Sequence, residues 1–149
     1  MLSNFDIIAI CNKLNINLIG VYTNDQFNNV NISNGCYVIN LNGDNNNKGT
    51  HWVALFILNN EHYYFDSYGF ISPQSVQDKL NDYYYWNNSQ IQHLDSVLCG
   101  WYCIAFLFLM QFNNVKSIKK RYNNFIDLFD KKNLINNDFI LYDLFKTII

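Results

Sequence analysis

The chain has 149 residues, of which 50% are hydrophobic and 17% aromatic, so it is long enough and apolar enough to fold around one core. This composition excludes an intrinsically disordered chain, although asparagine is very frequent, an excess that we attribute to AT-rich codon usage. The net charge of -2 excludes a broad basic surface for nucleic acid. One local basic cluster fits a solvated helix face better than a DNA or RNA contact, and it consists of Lys116, Lys119, Lys120 and Arg121.

The sequence favours a protein that works in a reducing compartment inside a cell. Asn4 and Asp6 interrupt the first apolar stretch, so we expect no secretory signal. The longest apolar run, Val97–Met110, is too short to cross a bilayer and predicts a buried helix. Four cysteines could form two disulfides, but reduced thiols are the better expectation in such a compartment. These cysteines are Cys11, Cys36, Cys99 and Cys103.

The first part of the chain predicts a helix, a segment without an assignment, and a strand. Ser3 can cap a helix over Ser3–Leu14, with Asp6 at the capping-box position. Residues 17–27 have no clear periodicity, and we assign no structure to them. Cys36–Leu41 is predicted to be a strand, and the residues that follow, 43–49, a loop.

Two strands, His51–Leu58 and Glu61–Ser67, are predicted to form a hairpin. Asn59 and Asn60 between them suit a two-residue turn, because asparagine tolerates positive φ. Downstream, a serine cap followed by a proline at the first helical position predicts a helix over Ser72–Tyr84.

The second half predicts a short strand followed by three helices. Ile91–Leu94 should be the strand. Cys99–Phe112 should be a helix, and because it is apolar on nearly all sides it should lie at the centre of the molecule. Two amphipathic helices are predicted over Ser117–Asp130 and Asn137–Thr147. We therefore expect residues 1–149 to form a single α+β domain in which a small mixed sheet packs against the central helix.

The hairpin register brings a histidine and an aspartate together. With a two-residue turn, Val53 faces Asp66 and His51 faces Tyr68. His51 and Asp66 are then diagonal neighbours on one face of the sheet, roughly 7–8 Å apart at Cα. A slip of one residue would move them to opposite faces. In the predicted register, Asp66 can orient the imidazole and stabilise its protonated form.

A cysteine stands at the predicted start of the central helix. Because a helix N-terminus and a nearby imidazolium both favour the thiolate, Cys99 is the candidate nucleophile. Gly100 lets another main chain approach closely, and the Cys99 N–H can donate to an oxyanion. Gln92 is the candidate for the second oxyanion donor. Cysteine, histidine, carboxylate and amide are together the parts of a thiol acyl-transfer site.

Each of these residues also has a structural explanation when it is taken alone. Apolar helices often bury a cysteine, the histidine could be structural, the aspartate could begin a turn, and the glutamine could lie on a surface strand. Cys99 and Cys103 are close enough to suggest a metal pair, but no second pair of ligands has suitable spacing. We therefore interpret Cys103 as a core residue, His62 and His93 as ordinary residues, and we expect no metal or other cofactor.

Three motifs in this sequence resemble those of the clan CE cysteine proteases, the group that contains the adenovirus protease (adenain) and the SUMO-deconjugating proteases. G-T-H-W-V-A-L resembles the histidine motif of that group, and Y-Y-F-D-S-Y-G resembles its acidic motif. Q-H-L-D-S-V-L-C-G-W-Y-C resembles its oxyanion and nucleophile motif. The resemblance covers about residues 19–110 and is greatest to the virophage and Polinton-type viral maturation proteases.

The resemblance implies an α+β, papain-like core of the adenain and ubiquitin-like protease type, with an element order permuted relative to papain. It implies a catalytic site in which four side chains act together: His51, Asp66, Gln92 and Cys99. By the same resemblance, Trp52, with Gly100, would bind substrate in a narrow cleft that admits small residues such as glycine. The acidic residue is aspartate, as in the SUMO-processing branch, whereas adenain has glutamate. This residue alone does not decide which branch the chain resembles.

On this resemblance we expect a cysteine endopeptidase that processes capsid or core precursor proteins of a virus. We expect a monomer in the cytoplasm or virus factory of the host cell, with packaging in the virion as a further option and with no membrane association. Adenain is activated by a capsid peptide and by DNA. A peptide activator is compatible with this sequence, whereas the weak positive charge gives no support for DNA.

Three other functions stay open at this point. An isopeptidase that removes ubiquitin or a ubiquitin-like modifier from host proteins would use the same four residues. An acyltransferase would use the same triad with acetyl-CoA, although no basic cluster for its phosphates is evident. A binding module could keep the fold without turnover, although all four chemical groups of the site are present.

Overall fold

The computed structural model describes residues 1–41 and 51–149, in which a mixed five-stranded sheet packs against helices. The predicted α+β class is therefore confirmed. The loop predicted at residues 43–49 lies outside the described residues. None of the helices in the described part of the chain is long and apolar enough to cross a membrane.

Helix α1, Asn4–Lys13, confirms the first predicted helix and its cap. The Asp6 amide donates to Ser3 Oγ over 3.2 Å, and the Ser3 amide donates to Asp6 Oδ2 over 2.8 Å. These reciprocal bonds form the predicted capping box. The chain leaves the helical conformation at Asn15, whose φ is 57°.

The segment without a predicted structure contains a strand and a short helix. Strand β1 spans Leu18–Thr23, and helix α2 spans Asn24–Phe27. The Gln26 amide donates to Thr23 Oγ1 over 3.2 Å, so a second capping box starts α2. Strand β1 pairs in parallel with the next strand, a pairing between distant residues that no local pattern indicates.

The five strands lie in the sheet in sequence order. The remaining strands are β2 (Gly35–Asn40), β3 (Trp52–Leu58), β4 (Glu61–Phe65) and β5 (Tyr85–Trp86). The pairs β1–β2 and β4–β5 are parallel, whereas β2–β3 and β3–β4 are antiparallel. Strands β2, β3 and β4 confirm the three strands predicted before residue 70, with ends that differ by at most two residues.

The β3–β4 hairpin has the predicted turn and register. Asn59 and Asn60 adopt φ angles of 51° and 64°, as a two-residue hairpin turn requires. Ala54 pairs with Phe65, which is the register that this turn predicts. The hairpin therefore presents the residue before β3 and the residue after β4 at the same end of the sheet.

The helix predicted over Ser72–Tyr84 is wrong. Only one turn of helix forms, α3 at Gln74–Gln77, and Pro73 is its N-cap in an extended conformation rather than its first helical residue. The helix does not extend to Tyr84 because Asn81 bonds to the β3–β4 hairpin instead of continuing a helix. Its amide donates to His62 Nδ1 over 3.1 Å, and its side chain donates to a main-chain carbonyl in the hairpin turn.

The strand predicted at Ile91–Leu94 is also wrong. The amides of Ile91 and Gln92 both donate to the Ser67 carbonyl, over 2.9 and 3.0 Å. Two adjacent donors that converge on one acceptor are incompatible with a strand ladder. The strand that does form in this region, β5, is two residues long and lies beside β4.

The central helix α4 spans Cys99–Phe112, the range predicted from the sequence, and packs on β3. Helix α5 follows at Ile118–Ile126, with Ser117 as its N-cap, and ends four residues earlier than predicted. A 3-10 turn at Leu134–Asn136 leads into helix α6, Asn137–Ile148. The prediction of three helices in this part of the chain is therefore confirmed.

Apolar side chains cover both faces of the sheet. On one face, Phe65 stacks on Phe106 of α4 with 4.8 Å between the ring centroids. On the other face, Leu55 and Tyr64 pack with Phe27 of α2. Because α4 is packed across β3, its N-terminus is fixed near the start of that strand, where the two halves of the candidate site meet.

Candidate active site

His51 and Asp66 lie at the open end of the hairpin, directly before β3 and directly after β4. His51 Nε2 and Asp66 Oδ1 are 2.7 Å apart, so the two residues are in contact as the register predicts. The Asp66 side chain is 1% exposed and the His51 side chain 16% exposed. The pair is thus largely shielded from water. In this environment its electrostatic attraction is stronger than at an exposed surface.

Asp66 is also fixed by a residue that sequence reasoning missed, Asn87. The Asp66 amide donates to Asn87 Oδ1 over 3.0 Å, and Asn87 Nδ2 donates to the Asp66 carbonyl. The buried Asn87 side chain therefore holds the main chain of Asp66 at two points. Its position directly after β5 is the signal that could have identified it, but β5 itself was not predicted.

Cys99 is the first residue of α4, and its thiol interacts with the His51 side chain, which lowers the pKa of the thiol. The main-chain N–H groups of Trp52 and Gly100 also favour the thiolate and so lower this pKa. Burial alone would raise the pKa of the Cys99 thiol, but these three polar groups and the charge of His51 hold it below its ordinary value. The structure thus brings Cys99, His51 and Asp66 together, with a hydrogen bond between His51 and Asp66 and with the thiol beside the imidazole.

The imidazole of His51 is the central member of this group. Burial lowers the pKa of His51, but the hydrogen bonds and charges of Asp66 and Cys99 raise it to about 9. Because Nε2 contacts Asp66, Nδ1 is the ring nitrogen left to face the thiol. A lowered thiol pKa beside a raised imidazole pKa describes a thiolate–imidazolium pair. Such a pair supplies an ionised nucleophile and a proton donor at one place.

The thiol pKa values of the other three cysteines are shifted in the opposite direction. All four cysteines are free thiols, and all are buried. Burial raises the pKa of Cys11 to about 11 and that of Cys36 to about 12. Burial also raises the pKa of Cys103 well above its ordinary value. Cys99 is therefore the one thiol of the four with a lowered pKa.

Gln92, the predicted oxyanion donor, is fully buried in the loop before α4. Its Oε1 accepts a hydrogen bond from Ser67 Oγ over 2.6 Å, and its Nε2 donates to the Ser96 carbonyl over 2.9 Å. These contacts hold the amide between the residue after Asp66 and the loop that leads to Cys99. An amide nitrogen carries two hydrogens, so one is left to donate to another acceptor.

Trp52 and Gly100, the two predicted substrate-binding residues, lie against each other. A Cβ atom on Gly100 would lie 3.3 Å from Trp52 Cδ1 and equally close to Leu2 Cβ, so the main chain approaches closely here. Trp52 Nε1 donates to the Leu2 carbonyl over 3.0 Å. Beside Trp52 is a groove with a volume of about 540 Å³, between the N-terminal residues and the end of β1.

A second residue without a predicted role, Tyr68, lies on the imidazole. The Tyr68 and His51 rings are stacked, with centroids 4.6 Å apart and planes inclined by 23°. The predicted register had already set Tyr68 opposite His51. The signal was therefore present in the sequence, but it carried no indication of ring stacking.

The two other histidines have structural partners outside this site. His62 Nδ1 accepts the Asn81 amide, and burial lowers the pKa of His62. His93 Nδ1 accepts the Asp95 amide over 3.2 Å. Within residues 1–41 and 51–149, no group of three His, Cys, Asp or Glu side chains could hold a metal ion.

The basic cluster at residues 116–121 takes part in the packing of α5. Arg121 Nε donates to the Val115 carbonyl over 2.6 Å, and Arg121 Nη1 donates to the Met110 carbonyl over 2.9 Å. The Lys119 ammonium lies 5.5 Å from the centroid of the Tyr85 ring. Lys116, Lys119 and Lys120 are exposed, as on a solvated helix face, whereas Arg121 is half-buried and stabilises the connection between α4 and α5.

Comparisons with known proteins give no identification. No family model matches the chain, and no curated protein is significantly similar to it. A function for this chain is accordingly inferred from the geometry around Cys99, His51 and Asp66 and from the motifs that contain these residues.

Proposed function

We propose that this chain is a cysteine endopeptidase with a papain-like core of the adenain and ubiquitin-like protease type. The observation that carries the proposal is the arrangement of Cys99, His51 and Asp66, in which His51 is hydrogen-bonded to Asp66 and the pKa shifts of His51 and Cys99 favour an ion pair. The resemblance of the three motifs to clan CE supports the same functional interpretation. The proposed substrates are viral capsid or core precursors, cut after small residues in the host cytoplasm or virus factory.

Acylation begins when the Cys99 thiolate attacks the scissile carbonyl carbon. A C–S bond forms and the carbonyl π electrons move to oxygen, where the Cys99 N–H and the Gln92 amide donate hydrogen bonds. His51 then gives its Nδ1 proton to the leaving amine nitrogen. The C–N bond breaks, the amine product departs, and a thioester remains on Cys99.

Deacylation uses the same groups in reverse. Neutral His51 takes a proton from water as the water oxygen attacks the thioester carbonyl carbon. The C–S bond then breaks, the acid product departs, and the Cys99 thiolate is restored beside protonated His51. Asp66, in contact with Nε2, orients the ring and stabilises its charge in both steps.

Incubation with candidate capsid and core precursors, followed by mass-spectrometric mapping of new termini, tests the proposal. We expect wild-type protein to cut after glycine-containing sequences and Cys99→Ala to leave the precursors intact. Cys103→Ala, which removes a thiol from the same helix, is the matched control and should retain cleavage. Cleavage by Cys99→Ala at the wild-type rate would reject the proposal. Rapid labelling by a ubiquitin or SUMO probe, without precursor cleavage, would replace the endopeptidase proposal with that of an isopeptidase.

The role of Gln92 is tested separately. Removal of one oxyanion donor typically lowers kcat by roughly 10²- to 10³-fold, and we expect a loss of this order in Gln92→Ala. Gln74→Ala, at an exposed position on α3, is the control and should leave kcat unchanged. Equal kcat values for the two variants would remove Gln92 from the mechanism.

A further inference from the structure

Tyr68 touches both partners of the buried ion pair. Its ring lies flat against the His51 imidazole, with 4.6 Å between the centroids. Its main-chain N–H donates over 2.8 Å to Asp66 Oδ1, the same oxygen that His51 Nε2 contacts. In the proposed acylation and deacylation steps, Tyr68 has no role.

The hydrogen bonds of His51 restrain the imidazole mainly within its own plane. Asp66 holds Nε2 and Cys99 faces Nδ1, but these two contacts resist only weakly a tilt of the ring about the line that joins its nitrogens. A flat aromatic neighbour resists that tilt. Its π face also attracts a cation, so it favours the protonated imidazole. The restraint is most needed in the acyl-enzyme, where the thioester sulfur is uncharged and holds Nδ1 less firmly.

Burial and the charges around Tyr68 both favour its neutral phenol. Burial, and after it the negative charges of Cys99, Asp66 and Asp138, raise the pKa of Tyr68. The charged groups that face His51 itself are Asp66 and Cys99. A neutral phenol ring therefore covers an imidazolium that has anionic partners at both nitrogens.

We propose that Tyr68 is a positioning residue: its ring holds the protonated His51 imidazole in the plane that serves both Cys99 and the hydrolytic water. This inference rests on the proposed peptidase function and extends it. The stack uses the face of the ring and not the hydroxyl group. Phenylalanine should therefore replace tyrosine, whereas a side chain without an aromatic face should not.

The test compares Tyr68→Ala with Tyr68→Phe. Phe70→Ala is the matched control, because Phe70 is an aromatic residue two positions further along that is 68% exposed. Two measurements need no substrate: titration of the His51 ring signals by NMR, and the pH dependence of Cys99 alkylation by iodoacetamide. The third measurement is kcat and KM on a precursor peptide.

We expect Tyr68→Ala to lower the pKa of His51 and to reduce kcat roughly 3- to 10-fold with little change in KM. Tyr68→Phe and Phe70→Ala should behave like wild type in both respects. An unchanged His51 titration and kcat in Tyr68→Ala would overturn the inference, and so would an equal loss in Tyr68→Phe. Tyr68→Leu repeats the test if thermal unfolding shows that Tyr68→Ala is not folded.

The outcomes also separate this inference from the proposed function. If wild-type Cys99 is alkylated no faster than Cys11, Cys36 and Cys103, the peptidase proposal itself is rejected. If wild-type Cys99 is selectively reactive and Tyr68→Ala matches it in every measurement, only the role of Tyr68 is rejected.

Discussion

The thiol of Cys99 differs from the other three thiols in the groups that favour its thiolate and not in its burial. Cys99 is 3% exposed, and Cys11, Cys36 and Cys103 are fully buried. Burial disfavours the thiolate at all four positions, but only at Cys99 is it outweighed, by the His51 side chain and two main-chain N–H groups. A reactive cysteine therefore needs donors arranged around the sulfur, and access alone would not create one.

Selective alkylation follows from this difference. At pH 6, iodoacetamide should modify Cys99 well before Cys11, Cys36 or Cys103, because a lowered pKa leaves a larger thiolate fraction at mildly acidic pH. Peptide mapping by mass spectrometry measures the rate at each site. His51→Ala removes the main partner of the thiolate and should slow the Cys99 reaction at pH 6. Equal rates at the four sites would instead favour a binding module without turnover.

Asn87 stabilises the carboxylate of the site through the main chain. Asn87→Ala removes both hydrogen bonds to Asp66 and leaves its buried N–H without this partner, while its carbonyl keeps the Gly69 amide. We expect the free energy of unfolding to fall by roughly 1–3 kcal/mol and kcat to fall with it. Urea denaturation and peptide turnover measure the two effects. Asn88→Ala is the control, since the neighbouring side chain is exposed, and a similar loss there would contradict the assigned role.

At the scale of elements, the turn after β4 joins the carboxylate to its supports. The Gly69 amide donates to the Asp66 carbonyl over 2.8 Å, and Gly69 has a φ of +76°. A Cβ atom at this position would lie 2.6 Å from the Ser89 carbonyl carbon. The turn is thus packed closely against the segment after β5, and only glycine suits both the conformation and the space.

Gly69→Ala should therefore disturb the site without touching a catalytic side chain. We expect the free energy of unfolding to fall by roughly 1–3 kcal/mol, because the left-handed conformation and the contact with Ser89 both become strained. We also expect lower kcat, since the turn carries Asp66 and Tyr68. Thermal unfolding and turnover on a precursor peptide check these effects. Wild-type stability in Gly69→Ala would show that the turn adapts to a side chain.

Elements defined by neighbouring residues were the ones that the sequence predicted well. The helix α4 and the β3–β4 hairpin have the predicted range, turn and register, because periodicity and an Asn59-Asn60 turn are local signals. The short helix α3 and the strand β5 depend on bonds to the hairpin and to β4, such as that from Asn81 to His62. No local pattern records such partners, so the predicted longer helix and later strand were wrong.

At the scale of the whole molecule, buried thiols link stability to pH. Cys11 and Cys36 have an ordinary pKa of 9.0, which burial raises to about 11 and about 12 in the folded protein. The folded state therefore keeps these protons at pH values where the unfolded chain has lost them. The resulting stability is fully present below about pH 9 and is lost as pH rises through the folded-state values.

We accordingly expect the free energy of unfolding to fall between pH 9 and pH 11, by on the order of 1–3 kcal/mol for each of the two thiols. Urea denaturation at pH 7, 9, 10 and 11 measures this slope. Cys11→Ala should be less stable than wild type at pH 7, because packing is lost, but its stability should fall less steeply at alkaline pH. An identical slope in the two proteins would contradict the linkage.

The sequence by itself determined the α+β class, the central helix, the hairpin and its register, and with them the meeting of His51 and Asp66. It also indicated Cys99 as the candidate nucleophile through its place at a helix start. Only the tertiary structure decided that the start of α4 lies beside the start of β3, so that the thiol reaches the imidazole. Only the tertiary structure, too, set Asn87 and Tyr68 against this pair. The physical reason is that periodicity encodes which face of an element is buried, whereas contacts between distant segments depend on how the buried faces pack together.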